Sequence, residues 1–320
     1  MPDAVPEAWL RHIAVGSHGL AVPRVGLGTG LHGMVSEEQS VATIEHALAR
    51  GVRFLDTAPL YGNGLAEERL GIALRGVPRD SYVLNTKVGI NSGEVSGGFD
   101  YDFSSDGVRR CLERSLGRLG VERIDILHLH EPEGFAGQVR EETLPILEAW
   151  RQQGLIRAIS AGVNHWSMTE PFVDRLDCVL LAGRYTLLEQ GALPFLRRQR
   201  EAWRPVLGAG IFNSGILASG TGADSTYNYR VAPAAIQQQV GRLEQVCRQH
   251  GVALWQAAVQ FVAAQPAISS LVFGACSPDE LDQALRGLEL PAPVAFWQQL
   301  RAEGLLDLGA SVPAADGVGQ

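Results

Sequence analysis

Gly51-Val52-Arg53-Phe54-Leu55-Asp56-Thr57-Ala58-Pro59-Leu60-Tyr61 decides the fold. A short, strand-forming apolar run ends on a carboxylate, and a phenol follows five residues later. The pattern recurs downstream. The run 82–86 leads into Lys87, and Asp125-Ile126-Leu127-His128-Leu129-His130 ends on an imidazole. Titratable residues at the ends of buried strands mark a parallel β/α barrel, whose chemistry is built at those ends. A phenol beside an ammonium is a tunable acid or base. Free phenols titrate near ~10, and a nearby positive charge favours the phenolate.

Outward from these segments, apolar runs at 25–28, 53–56, 82–86, 124–130, 156–161, 178–182, 205–208 and 270–273 read as eight strands. Helical spacing lies between most of them. Ser36 caps a helix carrying Val41, Ile44, Ala47 and Leu48, stopped by Gly51. The same logic predicts helices over 105–119, 141–153, 234–250 and 278–288. Alternation of this kind means βαβ units and parallel pairing. The expected fold is α/β: a (β/α)8 TIM barrel with an N-terminal β-hairpin and long loops after strands 3 and 7. The hairpin spans 13–22 about Ser17-His18-Gly19, and the loops, 89–105 and 212–232, lack periodicity and suit lids over a site. A doubly wound open sheet fits less well, because a lone glycine cluster such as Gly26, Gly28 and Gly30 is weak evidence for a dinucleotide fingerprint. The chain reads as one barrel domain over 1–320, with a small, polar tail at 310–320 expected to be disordered.

The net charge of −8 argues against nucleic acid, and no basic run exceeds Arg197-Arg198-Gln199-Arg200. The four cysteines, Cys111, Cys178, Cys247 and Cys276, are scattered without metal-ligand spacing, so no metal is expected. The N-terminus lacks the basic and apolar regions of a secretory signal, and no window is long enough to span a bilayer. A soluble, cytoplasmic protein is expected, monomer or homodimer, with a small molecule as its partner.

With these motifs in place, the chain resembles the aldo-keto reductases. The segment 51–62, the following Glu67-Glu68-Arg69-Leu70-Gly71, Thr86-Lys87 and the His130 strand end carry the resemblance. It implies a catalytic tetrad of Asp56, Tyr61, Lys87 and His130. Tyr61 would move the proton, Lys87, held by Asp56, would favour the phenolate, and His130 would orient the substrate oxygen. The family's histidine falls five residues after Asp125, which selects His130 and leaves His128 as an interior, barrel-filling residue.

The resemblance also implies a nicotinamide cofactor. Asn164 corresponds to the residue that meets the carboxamide. Gly210, Phe212, Ser214, Gly215 and Leu217 match the loop around the pyrophosphate, and Gly274, Ser277 and Glu280 match the segment near the adenosine ribose. Family members that prefer NADP carry a Lys at the Gly274 position and an Arg near Glu280. A glycine and a carboxylate there imply NAD as the preferred cofactor, with NADP possible, because a carboxylate repels a 2′-phosphate and accepts from a ribose hydroxyl. Asp279 and Glu280 equally suit the first turn of a helix. Within the family, Leu181 to Leu188 and Asn213 to Leu217 resemble the sugar dehydrogenases of the D-threo-aldose (L-fucose) and L-galactose type. These oxidise the anomeric carbon of a free aldose to a lactone. Alternatives are pyridoxal 4-dehydrogenation, NADPH-dependent reduction of aldehydes or ketones, and a non-catalytic, cofactor-sensing subunit. His32, Met34 and Trp166 are expected to line the substrate pocket.

Overall fold

The computed structural model describes residues 9, 11–16, 19–91 and 99–314. Eight strands close a parallel barrel: β3 (Val25–Gly28), β4 (Phe54–Asp56), β5 (Val83–Val88), β6 (Ile124–His130), β7 (Ile156–Val163), β8 (Cys178–Ala182), β9 (Val206–Ala209) and β12 (Ile268–Gly274). Ahead of them, β1 (His12–Val15) pairs antiparallel with β2 (Leu20–Pro23). The expected turn residues Ser17 and His18 lie outside the described residues.

Strand bounds agree with the apolar runs to within two residues, because these strands are buried on both faces. All seven residues of β6 are buried, as are all six of β5. Register then sets which side chains face inward. Asp56 pairs with Asn85, Lys87 with His128, and His128 with Ser160. Partners across parallel strands share a face, so these residues lie in one band of the barrel interior.

Ser36 accepts from the Gln39 N–H and opens the helix Glu37–Ala49, and Ser104 does the same for Ser105–Leu119, which ends on left-handed Gly120. The helix expected over 141–153 is interrupted: a π turn over Val139–Thr143 precedes Leu144–Gln152, and the Thr143 hydroxyl donates to the Phe103 carbonyl. Helices at Leu65–Ala73, Leu193–Glu201, Leu254–Ala263 and Val294–Ala302 add to those read from the sequence.

The chain forms two compact units, residues 1–180 with 272–281 and residues 181–271 with 282–320. In the first, the hairpin is tied to the start of β7, where Arg157 donates to the Gly19 carbonyl at 3.1 Å. Buried Asp125 accepts the Leu84 N–H and pairs with Arg79 at 2.7 Å and Arg157 at 3.3 Å. These bonds fix the N-terminal ends of β5 to β7 and leave the opposite ends for chemistry. In the second, the loop after β9 is more structured than expected. It holds the short helix Ile216–Ser219 and a small hairpin, β10 (Thr226–Tyr227) with β11 (Arg230–Val231). Part of the loop expected after β5, residues 92–98, lies outside the described residues. So do residues 315–320 of the tail, but Ala310 is buried and its carbonyl accepts from Arg301, so the disorder expected from residue 310 does not begin there.

Candidate active site

Asp56 is the last residue of β4, and the chain then turns so that Tyr61 begins a short 3₁₀ segment, Tyr61–Gly64. Two glycines make that turn possible. A Cβ on Gly62 would stand 2.5 Å from the Gly33 Cα, and one on Gly33 would stand 2.4 Å from the Gly62 Cα. Only a pair of glycines lets these loops touch, and Gly62 also holds a left-handed φ of 59°.

Lys87 enters from β5, almost fully buried. Its Nζ donates to the Asp56 carboxylate, at 3.0 and 2.8 Å from the two oxygens, and to the Thr57 carbonyl at 2.8 Å. It also shares a side-chain hydrogen bond with Tyr61, and it sits 4.9 Å from the centroid of that ring. An ammonium has three N–H donors, so carboxylate, carbonyl and phenol together use all of them. Gly162 leaves room for the lysine stem, since a Cβ there would come within 3.3 Å of the Lys87 Cε. Burial disfavours the Lys87 charge, but Asp56 and Tyr61 together outweigh it and hold its pKa above the usual value. Burial raises the Asp56 carboxyl, with Lys87 opposing.

His130 ends β6, and its ring meets the Tyr61 ring edge-on, centroids 6.0 Å apart at 86°. Burial, then the Lys87 charge, holds its pKa well below 6.5, so the imidazole is neutral at neutral pH. Asp56, Tyr61, Lys87 and His130 therefore meet at the ends of three neighbouring strands. A neutral imidazole and a lysine-bonded phenol can both engage one substrate oxygen, the phenol moving its proton.

The structure adds residues that the sequence reading did not assign. Glu67 is fully buried; it accepts from the Thr86 hydroxyl at 2.6 Å and pairs with Arg118 at 2.6 Å. It thereby fixes the strand position next to Lys87. Glu131, directly after His130, has a left-handed φ of 47° and accepts the Asn164 N–H at 2.8 Å. Its signal was its place beside the expected histidine.

His32 is fully buried, with Nδ1 2.8 Å from the Ser40 hydroxyl and Nε2 2.8 Å from the Ala275 carbonyl, so both ring nitrogens are engaged within the protein. Met34 is 80% exposed. Trp166 is half-buried and stacks on His165, centroids 4.3 Å apart. The Asn164 side chain is at the surface. Gly274 is exposed, with open space where a Cβ would stand. Ser277 accepts the Glu280 N–H, and the Glu280 carboxylate accepts the Cys276 N–H at 2.8 Å, so this acid opens the helix Pro278–Glu289.

In the second unit, Gly210, Asn213, Ser214 and Gly215 all take positive φ. The buried Asn213 Oδ1 has no hydrogen-bond partner. The turn closes on itself: the Asn213 N–H donates to the Gly210 carbonyl at 3.0 Å and the Gly215 N–H to the Phe212 carbonyl at 3.0 Å. Phe212 and Ser214 are half-buried in this turn, and Leu217 is fully buried with its N–H on the Phe212 carbonyl.

A closed parallel barrel with a Tyr–Lys–Asp–His cluster at its strand ends defines a class of oxidoreductases. The profile of the Aldo/keto reductase family matches residues 24–303, and the chain belongs to that family. It is 35% identical to the pyridoxal 4-dehydrogenase of Microbacterium luteolum, over 92% of this chain and 97% of that one. It is 34% identical to a D-threo-aldose 1-dehydrogenase of a Pseudomonas species, over the same shares of the two chains. Among solved structures, an aldo-keto reductase from Bacillus halodurans superimposes with a TM-score of 0.78 at 23% identity, over 95% of this chain and 98% of that one. The chain is an NAD(P)-dependent oxidoreductase of this family. Among the described residues no helix is long and apolar enough to cross a membrane.

Proposed function

We propose that the protein oxidises the anomeric carbon of a free aldose to a lactone, with NAD as its preferred cofactor. The observation that carries this reading is the Lys87 ammonium, bonded at once to Asp56, Thr57 and Tyr61. In that setting the phenolate of Tyr61 is favoured, and it takes the proton of the anomeric hydroxyl. His130, neutral, donates to the same oxygen and orients it. Asp56 keeps Lys87 charged through the cycle, and Lys87 stabilises the negative charge on Tyr61 before the proton arrives. The bound nicotinamide supplies the acceptor for the hydride that leaves the anomeric carbon. Oxidation thus removes one proton and one hydride, and a cyclic hemiacetal becomes a lactone.

Asn164 would meet the carboxamide, the turn at 210–217 the pyrophosphate, and the segment from Gly274 to Glu280 the adenosine ribose. At Gly274 there is no side chain to hold a 2′-phosphate, and the Glu280 carboxylate repels one, which supports NAD. Trp166 and Met34 would form the substrate wall. His32 would act behind that wall, because its ring nitrogens are already engaged.

A second reading, pyridoxal as substrate, is favoured by the 35% identity to the Microbacterium luteolum enzyme. Pyridoxal also closes to an internal hemiacetal, so the same proton and hydride chemistry serves both. A panel of free aldoses and pyridoxal, each with NAD and with NADP, followed by nicotinamide absorbance, tests the assignment. The highest kcat/KM is expected for an aldose with NAD. Turnover of pyridoxal alone would replace the first reading with the second, and turnover of simple aldehydes with NADPH alone would overturn both.

A further inference from the structure

Beneath the Asp56–Lys87 pair the barrel interior breaks a general rule. Buried polar atoms in folded proteins nearly always have a hydrogen-bond partner. Here His128 and Asn85 are each fully buried, and neither ring nitrogen of His128 nor either amide atom of Asn85 has one. Register places both against the pair: Asn85 opposite Asp56, His128 opposite Lys87. The His128 Nε2 lies 3.6 Å from the Asp56 Oδ1, just beyond hydrogen-bond length. An apolar residue would fill position 128 without stranding a polar atom, as Ile126 does one layer below on the same face of β6. The simple barrel-filling role expected for His128 therefore does not account for its chemistry.

We infer that His128 is a positioning residue: its neutral ring sets an N–H dipole 3.6 Å from the Asp56 carboxylate and so limits how tightly Asp56 holds the Lys87 proton. The groups that face His128 are Asp56 on β4, Lys87 and Asn85 on β5, Ser160 on β7 and His130 on its own strand. Ser160 is already committed to the Cys178 carbonyl. Burial, then Lys87 and His130, keeps the His128 ring neutral, so it acts as a dipole. A neutral imidazole has one N–H to give, and a buried carboxylate is the acceptor that profits most from it. Once that donor is lost, Asp56 binds the ammonium more strongly, less of the lysine charge reaches Tyr61, and the phenol ionises at higher pH.

This inference rests on the proposed role of Tyr61, and the test separates the two. Phenol ionisation is followed by ultraviolet difference titration of the nucleotide-free protein, with Tyr61→Phe as the subtraction, beside pH profiles of kcat and kcat/KM. His128→Leu is expected to move the Tyr61 ionisation and the profile upward by about 0.5–1 pH unit, the scale of one polar group beside a buried charge acting through one intermediary. His128→Gln, which restores an N–H donor, should return both toward wild type. Thermal melting of each variant reads stability separately. Unshifted titration and profile in His128→Leu, or equal shifts in the Leu and Gln variants, would overturn the inference while leaving the Tyr61 role intact. Full activity in Tyr61→Phe would instead remove the reading on which it stands.

Discussion

Replacing Lys87 by Met removes the charge that the site is arranged around while keeping the length of the side chain. The ammonium lies 4.9 Å from the centroid of the Tyr61 ring. At an effective dielectric constant of about 20, unit charges at that separation attract by about 3 kcal/mol. This corresponds to about 2.5 pH units of phenol ionisation. At neutral pH the phenolate fraction, and with it the rate of oxidation, should fall roughly 10²–10³-fold. Because the cause is a displaced ionisation, the loss should shrink as pH rises. The single variant also strands the buried Asp56 carboxylate, an imbalance of about 3–5 kcal/mol that threatens the fold. The assay therefore uses Lys87→Met combined with Asp56→Asn, which takes both charges out together; because the lost carboxylate opposed the lysine at Tyr61, the displacement is expected to be smaller than for the lysine charge alone. Initial rates by nicotinamide absorbance across the pH range give the profile. A profile displaced upward, with rates converging on wild type in alkali, is the expected result. A uniform loss with an unmoved profile, or no loss, would refute the electrostatic argument.

Acid should destabilise the protein through its buried histidines. Burial, then Lys87, holds His128 and His130 well below the ordinary value, and burial also lowers His32. Below about pH 6.5 the unfolded chain binds protons at these positions that the folded chain does not, so their contribution is full above that pH and is lost as pH falls through it, at up to about 1.4 kcal/mol per histidine per pH unit. Urea midpoints measured on either side of about pH 6.5 should fall steeply on the acid side, and a flat curve would contradict the burial argument. Combining Gly274→Lys with Glu280→Arg should raise the NADP-to-NAD ratio of kcat/KM about tenfold or more, since one favourable charge contact is worth about 1.4 kcal/mol. An unmoved ratio would place the ribose elsewhere.

The barrel was legible because its signals are local. Apolar runs mark strands buried on both faces, and Ser36, Ser104 and Gly120 punctuate helices by short-range bonds. That Asp56, Tyr61, Lys87 and His130 lie together was legible because they sit at or just past the ends of those runs. Less was visible where the signal is long-range or missing. Leu254–Ala263 is buried over most of its length, its polar Gln256 and Gln260 included, so polar residues do not mark a solvent face there. Leu65–Ala73 begins after left-handed Gly64 without a side-chain cap, and Leu193–Glu201 also lacks one. Nothing nearby in the sequence announces the bond of His32 to the Ala275 carbonyl, 243 residues away. The Glu280 carboxylate shows both faces of an ambiguous motif: it bonds its own helix entrance, and the same charge bears on the proposed choice of nucleotide. His128 was correctly set inside the barrel, but its unpartnered nitrogens beside Asp56 emerge only from register and burial.

The central claim is that the Tyr61 hydroxyl moves the proton. The direct measurement is kcat/KM of Tyr61→Phe for its best substrate, with nucleotide affinity read in parallel by fluorescence. A loss of about 10²–10⁴-fold with nucleotide affinity unchanged is predicted. Undiminished turnover without the hydroxyl would contradict it.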